Sequence, residues 1–430
     1  NTLKFCFVFI NFENQFNTVY CNYHIKMNNN NKIKYFRNKS TSRYNILSNF
    51  INKKKISKKI YLTEFLIHLF LLFLSFISIA KCKIKKVTIC NYLISFPKSK
   101  GEMDFRGKYI TDNLKFKKSI NLIRSTDFIN SIYCYIKTPN VIFYLSVEYF
   151  AALSLKFYSK LDFFNYYNRN LKTKKFIKKI FMYLRISKFI SIDDSRVMTL
   201  FLEICEELQI SSVGYMHYRF NSSYKPIKFY TFDTFFVWSE YFKKRLILLN
   251  NKYKNKKIII CGIKNKIFKK PKKKIDALFV WDLDSKLRSL KNLILLLKNN
   301  FQIAVKFKPS SQKGNKKLLN FLEKNNILYF KNENFLDLRN KYSISYFIGC
   351  STTALYEACL YDALPIILKN NSSIAKEIIS EGIIKSAKND YKNISKILKH
   401  LPHKKKLREQ KKKIWGEIKY NKSLIINNIK

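Results

Sequence analysis

Short apolar runs alternate with helix-like stretches from residue 87 to residue 368, and this alternation limits the possible fold more than any other feature. The apolar runs are continuous, so neither face of the corresponding strands would be suited to water. Such strands are typical of a parallel sheet covered by helices on both sides. We therefore predict an α/β fold with two doubly wound, Rossmann-like domains that face each other across a cleft.

The runs form two series, separated by a lysine-rich segment. In the first series, the predicted strands are 87–96, 119–123, 140–147, 188–193, 211–217, 233–238 and 257–262. The clearest helix of this series is predicted at 195–210. In the second series, the predicted strands are 276–282, 302–307, 327–330, 345–349 and 364–368.

These patterns divide the chain into five parts. We expect a low-complexity, disordered extension at 1–58, which contains a candidate start at Met27, and a hydrophobic, membrane-associated helix at 59–83. The first Rossmann-like domain is predicted at 84–263, the linker at 264–274 and the second domain at 275–430.

The segment 62–80 is apolar apart from Glu64 and His68 among strongly polar residue types, and lysines flank it on both sides. A helix of this length reaches ~28 Å, close to the thickness of a bilayer core. Two interpretations stay open: a helix that spans or lies in a membrane, or a buried helix of the first domain. The first predicts an anionic membrane surface as a partner and a location at the cytoplasmic face of the inner membrane.

The chain carries 83 Lys and Arg against 28 Asp and Glu, a formal net charge of +55, yet 47% of its residues are hydrophobic. That apolar content excludes a disordered basic tail. Only twelve of the 83 basic residues are Arg, the better reader of bases and phosphates. Lys, Ile, Asn, Phe and Tyr have AT-rich codons, so an AT-rich genome explains much of the charge. We expect no specific nucleic-acid partner.

The nine cysteines include no C-x-x-C pair, which argues against both a zinc site and a disulfide framework. Cys205, Cys261, Cys350 and Cys359 lie in apolar runs, and we predict that they are buried as small core residues.

The most informative stretch runs from Gly349 to Ala358 and reads GCSTTALYEA, with LPII following at 364–367. It predicts a buried strand, a glycine turn, a helix opened by hydroxyl residues and a second buried strand. The amides at such a helix start can bind an anion. Glu357 would lie ~8 Å along the helix, near the ribose of a bound nucleotide. The alternative is an ordinary capped helix with a surface glutamate.

A second block lies in the first series. The sequence IDDSR at 192–196 precedes the predicted helix, and VGYMHYRF at 213–220 follows it, with FDTFFVWS at 232–239. His217 ends a predicted strand, where an imidazole with a pKa of ~6.5 could remove a proton from a hydroxyl. The alternative is a structural histidine at a tight turn. Asp193 and Asp194 are an alternative base or, as we prefer, a helix cap.

Together, these blocks resemble GT-B glycosyltransferases of bacterial surface polysaccharide biosynthesis, akin to the CDP-glycerol glycerophosphotransferase-like group. The resemblance implies a nucleotide-activated donor as substrate and no other cofactor. It also implies that Glu357 contacts the ribose. The implied phosphate contacts are Gly349, Ser351, Thr352 and Thr353.

Two positions depart from the family pattern. His217 is followed by Tyr218 where the family has glycine, and Lys308 stands where the K-P-H-P motif has histidine. Lys308 could neutralise a phosphate, but it would not act as an acid at neutral pH. Asp282 and Asp284 form a D-x-D, which we interpret as a helix cap, so no metal site is expected.

These observations predict a metal-independent glycosyltransferase-like enzyme of surface polysaccharide or capsule biosynthesis. It would transfer a sugar or related group from a nucleotide-sugar donor to a glycan or lipid-linked acceptor, with His217 as the base. Two alternatives remain. One is a nucleotide-sugar epimerase of the same fold, and the other is a non-catalytic basic protein that binds membranes or nucleic acid.

Overall fold

A computed structural model provides the structure of the chain. It describes residues 58–93, 119–124, 132, 135–136, 140–144, 163–191, 198–216, 219–220, 227, 230–263, 273–281, 287–307, 316–331, 333, 335–350, 352–369, 372–400, 402, 404–417 and 420–429. All of these residues belong to one compact unit, Ile56–Lys430.

Seven parallel strands form the first sheet. They are β1 (Ile89–Leu93), β2 (Ser119–Arg124), β3 (Val141–Tyr144), β4 (Lys188–Ser191), β5 (Ser211–Tyr215), β6 (Thr234–Val237) and β7 (Lys257–Ile260). Their order in the sheet is β3-β2-β1-β4-β5-β6-β7. The chain therefore winds outward from β1 in one direction and then, from β4, in the other.

The second sheet repeats this arrangement. Its strands are β8 (Lys273–Trp281), β9 (Ile303–Phe307), β10 (Leu328–Phe330), β11 (Tyr342–Gly349), β12 (Leu364–Leu368) and β13 (Lys385–Ala387). They are parallel and follow the order β10-β9-β8-β11-β12-β13. Counted within the sheet, this is 3-2-1-4-5-6, the order of the dinucleotide-binding fold. The predicted α/β class with two parallel sheets is confirmed.

The described part of the chain also contains α-helices. They are α1 (Lys58–Ile84), α2 (Phe163–Leu184), α3 (Met198–Glu207), α4 (Glu240–Leu249), α5 (Leu287–Lys298), α6 (Lys316–Lys324), α7 (Phe335–Lys341), α8 (Ala354–Glu357), α9 (Ser373–Ser380), α10 (Tyr391–Leu398), α11 (Lys404–Trp415) and α12 (Lys422–Ile429). Short 3-10 helices follow α4 at Asn251–Asn255 and α8 at Ala358–Tyr361.

Side-chain caps fix the starts of two of these helices. The Ser372 hydroxyl accepts a hydrogen bond from the Ala375 amide before α9, and the Asp390 carboxylate accepts one from the Asn393 amide before α10. Each cap satisfies an amide that has no partner inside the helix. Strand β13 was not predicted from the sequence because its three residues, Lys-Ser-Ala, lack an apolar run.

Alternate residues of the second sheet belong to two different apolar clusters. Phe279, Val305, Ile348 and Ile366 pack with helices α5, α6 and α10 on one face. The residues that point the other way join a core that is continuous with that of the first sheet. Since successive side chains of a strand point to opposite faces, continuous apolar strands are what this two-sided packing requires.

Helix α1 packs against the first sheet along one side. Leu71, Ser75, Ser78 and Cys82 are buried, whereas Phe73 is 59% exposed. The buried positions recur at intervals of three to four residues, as expected for one face of a helix. None of the helices in the described part of the chain is long and apolar enough to cross a membrane.

The cysteine prediction is confirmed. Cys205, Cys261, Cys350 and Cys359 are buried free thiols. Burial raises the pKa of Cys261 and of Cys359 to about 12, so both remain uncharged.

Candidate functional site

Gly349 lies at the point where the winding of the second sheet reverses. It is the last residue of β11, whose neighbours in the sheet are β8 and β12. A Cβ atom at Gly349 would lie 3.1 Å from Thr352 Cγ2 and 3.5 Å from the Val280 carbonyl oxygen of β8. In doubly wound sheets, the carboxyl ends of the strands at this reversal line the ligand-binding crevice. Because Gly349 has no side chain, a ligand can approach the backbone there.

In the segment after Gly349, two threonine hydroxyls accept hydrogen bonds from backbone amides. Thr352 Oγ1 accepts a hydrogen bond from the Ala354 amide at 3.3 Å, and Thr353 Oγ1 accepts one from the Arg219 amide at 3.3 Å. A hydroxyl that accepts a bond still has its own hydrogen to donate. Both threonines can therefore offer a hydrogen to an anionic oxygen at this end of β11.

The helix that follows is shorter than the sequence suggests. Helix α8 has four residues and continues as the 3-10 helix Ala358–Tyr361, which ends where Asp362 adopts a left-handed conformation with a φ of 55°. The connection between β11 and β12 is short, so there is little length for a regular helix. Glu357 is the last residue of α8 and still lies one turn beyond the threonines.

Glu357 is a half-buried carboxylic acid. Burial raises its pKa from 4.5 to about 7. Its carboxylate has no hydrogen-bond partner among the residues that the structure describes. A buried carboxylate without a partner is costly and gains most from a ligand that donates hydrogen bonds.

Arg219 connects the two sequence blocks that carry the family resemblance. It follows β5 of the first sheet, and its side chain is 3% exposed. Its amide donates to Thr353, its Nε donates to the Tyr356 hydroxyl at 2.8 Å, and its guanidinium pairs with Glu381, which directly follows helix α9. Arg219, four residues after β5, is thereby bonded to the segment that follows β11.

Arg219 belongs to a larger buried group, which we call the Arg–Glu cluster. The cluster consists of Arg219, Tyr241, Arg245, Tyr356, Glu377 and Glu381. Tyr241 and Arg245 lie on α4, beside the first sheet, whereas Glu377 lies on α9, beside the second sheet, and Glu381 directly follows α9. The rings of Tyr241 and Tyr356 stack with centroids 5.9 Å apart.

The two tyrosines of the cluster act as hydrogen-bond donors. Burial and the bond to Glu381 raise the pKa of Tyr241 to about 12, and burial raises the pKa of Tyr356 still further. Both hydroxyls therefore stay protonated and donate to the Glu381 carboxylate. Two guanidiniums and two carboxylates balance each other in charge, which is the condition under which buried ions persist.

Helix α11, near the C-terminal end of the chain, packs against Tyr356 and the start of α4. The indole of Trp415 donates to the Tyr356 carbonyl at 2.9 Å and stacks on Trp238, with ring centroids 5.8 Å apart. The Ser239 hydroxyl donates to the Ile414 carbonyl at 2.5 Å. Helix α11 thus buries Ile414 and Trp415 on the side that faces α4 and exposes most of its lysines.

The structure brings together four of the residues predicted from the sequence. Gly349, Thr352, Thr353 and Glu357 lie in one segment at the carboxyl end of β11. The other predicted positions lie outside the described residues: Asp193, Asp194, His217, Asp282, Asp284, Lys308 and Ser351.

The sequence patterns indicated no role for Arg219, Arg245, Glu377 or Glu381. One signal was present, since Arg is rare in this lysine-rich chain, with twelve in 430 residues. A planar guanidinium suits a buried site with several acceptors better than an ammonium group does. However, Glu377 and Glu381 become neighbours of Arg219 only when both sheets have formed.

Comparison of the chain with protein-family models and with curated proteins finds no match. Solved structures do match. A structure of MnaA with UDP from S. aureus aligns over 80% of this chain and 96% of its own, with 10% identity and a TM-score of 0.50. MurG from Acinetobacter baumannii aligns over 80% of this chain and 99% of its own, with 10% identity and a TM-score of 0.49.

A UDP-GlcNAc 2-epimerase from Neisseria meningitidis, solved with UDP-GlcNAc, aligns over 80% of this chain and 99% of its own, with 10% identity and a TM-score of 0.49. At such identities the likeness concerns the fold alone. The MnaA alignment, together with the two parallel sheets and their strand orders, shows that this chain has a GT-B-like fold.

Proposed function

We propose that this protein is a glycosyltransferase-like enzyme that transfers a sugar or related group from a nucleotide-activated donor to an acceptor hydroxyl. The acceptor is a glycan or a lipid-linked precursor of a surface polysaccharide. The bond between the Arg219 amide and Thr353 Oγ1 is the observation that carries the proposal. It joins the two sequence blocks at the reversal point of the second sheet, where nucleotides bind in folds of this kind.

In this proposal, the donor diphosphate binds at the carboxyl end of β11. Thr352 and Thr353 each have a hydroxyl hydrogen to donate, and Gly349 lets the phosphate approach the backbone. In the proposal, Ser351 adds a third hydroxyl and Lys308 neutralises the departing diphosphate. Such fixed donors stabilise negative charge as it develops, so we expect turnover to persist in EDTA.

Glu357 is assigned to the nucleotide ribose. An ionised carboxylate can accept hydrogen bonds from both ribose hydroxyls, and in the described part of the chain it has no competing partner. Ligand hydroxyls would lower its raised pKa by stabilising the ionised form.

His217 is assigned as the base that takes the proton of the acceptor hydroxyl. It precedes Arg219 by two positions, and two residues span at most ~7 Å of chain. Because Arg219 is bonded to Thr353, this short tether supports placing His217 beside the donor site. His217→Gln should lower kcat ~100-fold or more while the affinity for the donor stays within a factor of about two.

The first test is calorimetric titration of the protein with UDP, CDP and their sugar conjugates. Glu357→Gln should lower the affinity for the preferred nucleotide roughly tenfold, as expected for a lost hydrogen bond to a charged group. A deoxyribose analogue should bind the variant and the native protein equally well. Glu409→Gln, an exposed change on α11, is the matched control and should bind normally.

Two outcomes would change the assignment. If the native protein binds none of the nucleotides or nucleotide sugars, the enzyme proposal is wrong. If donor alone is converted to its epimer without an acceptor, the protein is instead a nucleotide-sugar epimerase of this fold.

We also propose that the protein works on an anionic membrane surface at the cytoplasmic face of the inner membrane. The support is a surface on α1 and α2 where Phe73, Ile84 and Met182 are exposed, by 59%, 82% and 59%, beside lysines such as Lys83. Phe73→Gln with Ile84→Gln should reduce flotation with phosphatidylglycerol vesicles. Leu328→Gln, an exposed change on β10, should not. Equal flotation of both variants would contradict this location.

A further inference from the structure

The second sheet carries a cavity that the proposed function does not use. Its volume is about 360 Å³ and it lies under helices α10 and α11. Small-molecule sites in proteins have volumes of roughly 300–1,000 Å³, so the cavity has room for a compact metabolite.

The cavity is separate from the candidate nucleotide site. Its floor includes Tyr346 of β11 and the first residues of β12, Leu364 to Ile366. Tyr346 precedes Gly349 by three positions, which in a strand corresponds to ~10 Å. The lining of β12 is at its amino end, whereas nucleotides are expected at the carboxyl ends.

Three lysines from three different elements line the cavity: Lys385 of β13, Lys396 of α10 and Lys406 of α11. None of them forms a salt bridge with a carboxylate of the described chain. Burial lowers the pKa of Lys385, and the charges of Lys406 and Lys396 lower it further. The ammonium group of Lys385 is therefore close enough to those of Lys396 and Lys406 to be repelled by them, at a cost that an anion would remove.

The remaining lining is suited to a small organic phosphate. Leu364 and Ile366 give the floor an apolar surface, while the Ser386 hydroxyl adds a hydrogen-bonding group. The rim is held in place where the Tyr346 hydroxyl donates to the His400 carbonyl at 2.6 Å. Clustered cations over a partly apolar floor fit a charged phosphate with an attached organic group.

We propose that this cavity is a second anion site that binds the phosphate of a small phosphate ester, with Lys385, Lys396 and Lys406 as its ligands. The phosphate belongs either to a soluble ester or to a phospholipid head group. This site does not depend on the function proposed above.

Residue-specific acetylation of the intact protein tests the proposal without any amino-acid substitution. Inorganic pyrophosphate should protect Lys385, Lys396 and Lys406 from acetic anhydride, as read by peptide mass spectrometry. Lys376, Lys388 and Lys392 are exposed lysines of the same region outside the cavity, and they serve as internal controls. Equal protection of both sets, or no protection of the cavity set, would overturn the proposal.

A second arm identifies the source of the phosphate. Protection by glycerol 3-phosphate indicates a soluble ester, whereas protection by phosphatidylglycerol vesicles alone indicates a lipid head group. Either result supports the site.

A third measurement compares two triple variants. Changing the three cavity lysines to Gln should reduce that protecting ligand's affinity roughly tenfold or more, while the same change at the three control lysines should not. Equal losses in both variants would show diffuse attraction and contradict a built site. Protection of Lys308 reports separately on the nucleotide site.

Discussion

Single residues set the chemistry of this protein by the environments in which the fold places them. Glu357 illustrates this, because a glutamate at that sequence position is compatible with a surface residue, yet burial raises its pKa to about 7. Gly214 of β5 is another case. A Cβ atom there would lie 2.6 Å from the ring of Phe235 and 2.7 Å from that of Phe232, so this position of β5 accepts no residue larger than glycine.

The raised pKa of Glu357 predicts a pH-dependent stability. Between pH 4.5 and 7, the folded protein keeps a proton that the unfolded chain has lost, so the free energy of unfolding falls as the pH rises. The loss is complete above pH 7 and amounts to at most about 3 kcal/mol, from 1.36 kcal/mol per pKa unit. Urea unfolding at pH 5 and pH 8 measures it, with Glu357→Gln as the variant that removes this contribution. A native protein and a variant with the same pH profile would contradict the assignment.

At the level of elements, helix α11 shows that a mostly polar helix can still pack against the core of the protein. Nine of its twelve residues, KKKLREQKKKIW, are Lys, Arg, Glu or Gln, yet Gln410, Ile414 and Trp415 are buried.

 Its apolar residues are Leu407, Ile414 and Trp415. The three apolar residues face the rest of the protein, and the nine polar ones include the exposed lysines.

Trp415 should be the residue on which the docking of α11 depends. Trp415→Ala removes its stacking on Trp238 and its bond to the Tyr356 carbonyl, and should lower the free energy of unfolding by ~3–5 kcal/mol. Lys413→Ala, on the exposed side of the same helix, should change it by less than ~0.5 kcal/mol. Guanidinium unfolding of both variants checks this, and similar midpoints for the two would show that α11 is not docked as described.

At the scale of the whole molecule, the two sheets share one continuous apolar core and the Arg–Glu cluster. The cluster places both guanidiniums on the side of the first sheet and both carboxylates on the side of the second. Its charges are balanced only when the two parts are together. We therefore expect the two parts to unfold in a single cooperative transition.

Glu381→Gln should weaken this coupling. The change leaves two buried guanidiniums without their main carboxylate, which typically costs ~3–5 kcal/mol. Glu323→Gln is the control, because Glu323 also accepts from a tyrosine hydroxyl, that of Tyr329 at 2.6 Å, but at an exposed site. Urea unfolding followed by fluorescence and circular dichroism should show a large loss, or two separate transitions, for Glu381→Gln alone. A loss no larger than that of the control would contradict the role of the cluster.

The sequence by itself determined the α/β class, the parallel sheets and most strand positions, because continuous apolar runs leave a chain few other ways to bury both faces of a strand. It also indicated Gly349, Thr352, Thr353 and Glu357, since these residues are neighbours along the chain. Only the tertiary structure decided the partners of Arg219 and Arg245 and the gathering of Lys385, Lys396 and Lys406 around one cavity. Those contacts join residues from separate elements, and their energies arise from burial and charge proximity, which exist only once the sheets and helices have packed.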